Sequence, residues 1–181
     1  LSIPLGIVVR RVPGATRWAK WSWRAIAVLP GAPEASWREL RREGDSVEYH
    51  AATLPLELWR TDTAAYQTGL TVAEPSIYVV MRETADPDAK HDLEMLLATA
   101  SPYEAQDYTD SGEEIVERVP TPPALIATIR DYIETHHRDE AFVKRRRDKK
   151  RVDLSEDGKG DARIQQLSDV YRAPRRAGPL H

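Results

Sequence analysis

The chain has 181 residues and a formal charge of −3, a length that suits one domain with an appendage rather than two full domains. Cysteine is absent, which excludes structural disulfides, thiolate zinc sites and Cys-ligated iron–sulfur clusters. The near-neutral total hides a split: residues 1–143 carry 14 Lys and Arg against 23 Asp and Glu, a balance of −9, and residues 144–181 carry 12 against 6, a balance of +6.

The N-terminal stretch LSIPLGIVVRRV has no positive charge ahead of its apolar run, and Pro4 and Gly6 interrupt it. It lacks the basic n-region of a signal peptide and the ~20 apolar residues of a membrane span. A cytoplasmic protein with no membrane span is therefore expected. Leu1 in place of Met points to a trimmed chain or a non-standard start codon. Ile3–Val12 is β-branched and bounded by Pro13-Gly14, which predicts a strand. Arg17–Leu29 predicts a second, ended by Pro30-Gly31. Alternation puts Trp21 and Trp23 on one face and Lys20, Ser22 and Arg24 on the other. Ser36–Glu43 reads as a polar helical turn or a loop. Val47, Tyr49 and Ala51 alternate as a third strand, and Leu54, Leu56 and Leu58 follow with the opposite parity. That change of phase requires a bulge or corner, for which Pro55 is the natural place.

Thr61 or Asp62 predicts the cap of a short helix ending near Gly69. Ile77–Arg82 and Leu93–Thr99 predict strands on either side of a turn at 85–89. Ser101-Pro102-Tyr103-Glu104 has the capping-box pattern and predicts a short helix stopping before Ser111-Gly112. Ile115–Val119 predicts the last strand. A helix over 122–137 shows one apolar stripe of Leu125, Ile126, Ile129, Tyr132 and Ile133, with His136 and His137 at its negative end. The count implies an α+β fold. Its antiparallel, barrel-like sheet of about seven strands is closed by a C-terminal amphipathic helix and followed by a basic tail. The body spans 1–143 and the tail 144–181. The tail is rich in charge and should be disordered when free. A short helix over 163–172, with Ile164, Leu167 and Tyr171 at i, i+3 and i+7, could fold into a partner's groove.

Motifs point away from catalysis. There is no G-x-S-x-G elbow, no P-loop and no G-x-G-x-x-G. The 29 Asp and Glu make any chosen carboxylate pair uninformative, although a small enzyme with an unrecognised carboxylate site is an alternative. Glu134 and His137 are i, i+3, but di-metal bundles need such a pair twice with further Glu ligands. No metal and no cofactor is expected. Trp18, Trp21 and Trp23 interleave with Lys20 and Arg24, as in single-strand nucleic-acid platforms. The plainer reading fills the core with Trp21 and Trp23, and the −9 body disfavours a phosphate ligand. From His91 to Glu117 there are eight Asp and Glu and no Lys or Arg. This is a solvated face or a counterpart for the basic run Lys144, Arg145, Arg146, Arg147, Lys149, Lys150 and Arg151. With Ile164, Leu167 and Tyr171 downstream, that run reads as the start of a protein-docking tail rather than a nucleic-acid or membrane arm.

The segments Pro4–Ala32, Gly44–Tyr66, Ala100–Pro120, Phe142–Arg151 (FVKRRRDKKR) and Asp169–Pro174 (DVYRAP) resemble an uncharacterised bacterial family, domain of unknown function 3305. Its members tend to be encoded beside formate dehydrogenase, molybdenum-cofactor and iron–sulfur accessory genes. The resemblance implies a neighbourhood and carries no catalytic residues over. It implies a non-catalytic accessory protein whose partner is a formate dehydrogenase subunit or maturation factor. Without cysteine, such a role must work through contact rather than a sulfur relay.

Overall fold

Alternating apolar residues shape most of the strands, the commonest element among the described residues, and helices fill the longer connections. The computed structural model describes residues 1–15, 20–84 and 89–138. Trp18, the basic run Lys144–Arg151 and the 163–172 segment lie outside the described residues. The described elements run β1 (Ser2–Pro13), β2 (Trp21–Pro30), β3 (Ser36–Glu43), β4 (Ser46–Glu57), α1 (Thr63–Thr71), β5 (Ser76–Glu83), β6 (Leu93–Thr99), α2 (Pro102–Ser111), β7 (Ile115–Pro120) and α3 (Pro123–His136). The strands form one sheet in the order β2-β1-β4-β6-β5-β7, with β3 also paired to β4. β2 and β7, the ends of that order, lie against each other, so the sheet is a nearly closed barrel. Among the described residues no helix is long and apolar enough to cross a membrane.

The sheet is mixed, which corrects the antiparallel expectation. β4 and β6 run parallel, in register at Leu56 and Ala98, while the other pairs are antiparallel. Short turns enforce opposed directions only between consecutive strands. The chain leaves β4 through α1 and β5 before it returns as β6. Ser36–Glu43 is also corrected: it is a strand, paired to β4 from Ser36↔Ala52 to Glu43↔Ser46. Exposed charges along a strand keep its unpaired side wet and discourage further pairing. Trp37 alone in β3 is half-buried.

The phase change in β4 is real but lies upstream of Pro55. Ile7 pairs Ala52 and Val8 pairs His50, which leaves Ala51 as the extra residue of a bulge. Pro55 faces Pro4 of β1. The Pro4 carbonyl accepts from Gly31 N at 2.7 Å on the other side, so the two prolines need exchange no hydrogen bond. Pro55 thus falls between the stretches of that edge taken by β3 and by β6.

Leu5, Ile7 and Val9 of β1, Val47, Tyr49 and Leu56 of β4, and Ile77, Val79 and Met81 of β5 meet in the core. Leu125, Ile129, Tyr132 and Ile133 of α3 join them, four residues of the predicted stripe; the fifth, Ile126, is half-buried and outside the cluster. The N-cap of α3, Pro122, supplies no side-chain bond, so packing must hold this helix. Burial of each large aliphatic contributes ~1.5–3 kcal/mol, against about 1 kcal/mol for a good cap. α2 is the opposite case. Ala105 is its only buried residue, but Ser101 Oγ accepts from Glu104 N and Gly112 ends the helix at φ +70°. The Ser101 cap, whose own N–H donates to Thr99 Oγ1 rather than to Glu104, and the left-handed stop do for α2 what the apolar face does for α3.

Candidate functional site

One end of the barrel is lined by rings and a guanidinium. The inward positions of β1 are Leu5, Ile7 and Val9, and the next residue of that parity is Arg11. Arg10, on the outer face, lies opposite Glu48 and pairs with it at 2.7 Å. Among the described residues no carboxylate forms an ion pair with Arg11. It lies opposite Trp23 of β2 and Val47 of β4. Its guanidinium carbon is 4.1 Å from the Trp21 ring centre, 5.9 Å from Trp23 and 5.7 Å from Tyr49. A cation held over ring faces contributes ~0.5–2 kcal/mol, depending on how dry it is.

Trp37 reaches the same place from β3. Its backbone has φ +49°, a left-handed conformation that is costly for a bulky residue. Its indole meets Trp23 edge-on at 5.4 Å and Tyr49 at 5.9 Å. It stacks on His91, just ahead of β6, with centres 4.1 Å apart and planes at 13°. His91 also meets Tyr49 at 5.3 Å. Arg11, Trp21, Trp23, Trp37, Tyr49 and His91 therefore form one cluster drawn from four strands and the lead-in to β6.

Among the described residues, the buried side-chain nitrogens without a hydrogen-bond partner are Arg11 Nε, Trp23 Nε1 and both ring nitrogens of His91. All belong to this cluster. Leaving such a group unpaired costs about 1–3 kcal/mol, and among the described side chains these costs gather at one end of the barrel. Burial, then the charges of Lys90 and Arg11, hold the His91 imidazole below the usual histidine range. Beside the stack lies a cavity of about 420 Å³, walled by Trp37, Ala51, His91, Leu93 and Met95, with Lys90 at its edge. Glu94 also lines it, but its carboxylate is held by Arg82 at 2.9 Å.

His50, one strand turn away, is a structural counterexample. It is 2 % exposed. Thr53 Oγ1 donates its proton to the Pro33 carbonyl at 2.7 Å, so it must accept from His50 Nε2 at 3.0 Å. Burial, reinforced by Arg38, lowers this imidazole too.

Of the predicted platform, Trp21 and Trp23 are here and Trp18 is outside the described residues. Both described rings are half-buried, and their neighbours are protein: Arg11 covers Trp21, and Trp37 meets Trp23. The docking residues Lys144–Arg151, Ile164, Leu167 and Tyr171 also lie outside the described residues. His137, considered as half of a metal pair, has Nδ1 3.0 Å from Thr63 Oγ1. Sequence reasoning missed Arg11, Trp37, Tyr49 and His91 as members of a site. The parity of Arg11 was a usable signal, and so was a lone Trp in the polar stretch 36–43. The meeting of Trp37 with His91 had no local signal.

No curated protein and no solved structure matches the chain. The family model described as protein of unknown function (DUF3305) matches residues 4–146, which takes in the barrel from the third residue of β1 onward and the first three residues of the basic run. The chain belongs to that family.

Proposed function

We propose that this protein is a non-catalytic interaction protein in the maturation or assembly of a formate-dehydrogenase-type molybdenum and iron–sulfur enzyme. Its partner is a subunit of that enzyme or one of its maturation factors. The genomic company implied by the family resemblance supplies the direction. The observation that carries the reading is a pair of exposed apolar side chains on adjoining segments at the end of β1 and β4. Trp59 and Leu1 are each 57 % exposed, and Leu58 N donates to the Leu1 carbonyl at 2.7 Å, which ties the two segments together. Exposed large rings of this kind favour protein interfaces, where Trp is a frequent energetic anchor. The core among the described residues is packed with aliphatic and aromatic side chains, so this reading places protein recognition on the outer surface. In this reading Lys144–Arg151 steer the encounter and Ile164, Leu167 and Tyr171 anchor it.

The test is affinity purification of the full chain from cells that express the dehydrogenase. Dehydrogenase subunits or maturation factors are expected in the eluate, and Trp59→Ala or removal of residues 144–181 should reduce their recovery. Their consistent absence with the intact chain overturns the reading. A nucleic-acid-binding module is less well supported, because Arg11 already occupies the Trp21 face. A carboxylate-based enzyme is less well supported because Glu94, the one acid among the described residues lining the 420 Å³ cavity, is engaged by Arg82.

A further inference from the structure

We infer that the cavity beside the Trp37–His91 stack binds a small flat ring that carries an oxyanion. This is independent of the docking role proposed above. Four observations converge. The cavity, about 420 Å³, is of a size that takes a small ligand. One wall is a pair of parallel rings, Trp37 and His91, with Leu93 and Met95 nearby. The two rings cover each other's inner faces, so a ligand would meet their edges or outer faces, against which a planar body packs in edge-on or offset geometry. The lining nitrogens with spare hydrogen-bonding capacity belong to basic side chains, and the Ser36 hydroxyl can donate or accept. Lys90 is exposed and has no partner among the described residues, and neither nitrogen of His91 is bonded. Arg11, outside the lining itself, acts on His91 as a positive charge after Lys90 and against the weaker opposing charge of Asp92. The only described acid on the wall is already neutralised by Arg82. The site therefore asks for an acceptor with negative charge and offers little to a cation.

The fourth observation is local cost. Trp37 is held at φ +49°, and the His91 nitrogens are buried without partners. Costs of both kinds gather where a site is pre-formed for something else. No hydrogen bond determines which edge of the imidazole faces the cavity. A half-turn about Cβ–Cγ exchanges nitrogens with ring carbons and keeps the plane stacked on Trp37. An oxyanion beside Lys90 would then meet an N–H that has no other partner.

The experiment is calorimetric titration of the full chain with adenosine monophosphate and, separately, nicotinate. The first carries a phosphate and the second a carboxylate, so the arms separate the two sources of the anion. Adenosine and ribose 5-phosphate test ring and anion alone. At least one ring-bearing anion is expected to bind with a Kd below ~1 mM, and neither control should saturate. Lys90→Ala, a surface change, should weaken binding about tenfold. His91→Phe, which keeps the stack and removes the donors, should do the same. The inference is overturned if neither anion binds, if adenosine binds as tightly as its monophosphate, or if both variants bind like the parent chain.

Discussion

Gly6 is where β1 passes over His50 without room for a side chain. A Cβ there would lie 2.6 Å from His50 Nε2 and 2.9 Å from Ala32 Cβ. His50 is pinned by Thr53 and cannot step aside cheaply. Gly6→Ala should therefore destabilise the fold by about 1–3 kcal/mol; an unchanged urea midpoint would refute that. The same residue scale sets a pH response. His50 and His91 both have folded pKa values lowered from 6.5, chiefly by burial. Above the unfolded value both are neutral in either state. As pH falls from there through the lowered folded values, the unfolded chain binds protons first, so stability is lost on acidification. The urea midpoint should drop in that window, and His91→Phe should flatten part of the drop. A variant with the full pH dependence would remove His91 from the account.

The helices rest on different forces, and that difference can be measured at the scale of elements. Ile129 is 2 % exposed in α3, so Ile129→Ala should cost about 2–5 kcal/mol. Ser101→Ala removes only the bond to Glu104 N and should cost about 1 kcal/mol. Chemical denaturation of the two variants checks the order, and a larger loss for Ser101→Ala would reverse the assignment of packing to α3 and capping to α2. The elements also differ in how readable they were. The Ser101–Glu104 box and the Leu125–Ile133 stripe are local patterns, and both helices follow them. β3 was unreadable because an edge strand with one half-buried residue, Trp37, has no alternation to show. The bulge was expected from the parity change, but its place, Ala51, depends on pairing with β1.

For the whole molecule, strand order decides what is protected and what is near what. β1, β4 and β5 have partners along both edges, and β3 is paired only to β4 among the described strands. Amide exchange should be slowest in β1, β4 and β5 and faster in β3; equal protection of β3 would contradict this order. The same order builds the candidate site. The acidic body and basic tail, the Cys-free chemistry, the strand-rich body and the C-terminal amphipathic helix were all legible in the order of residues alone. Each of these rests on composition or on a period within a few residues. Only the tertiary structure decided that β6 runs parallel to β4, that Arg11 points into a mouth of rings, and that Trp37 stacks on His91. Those contacts join segments far apart in the chain. Their energy comes from pairings between strands, which no local period encodes.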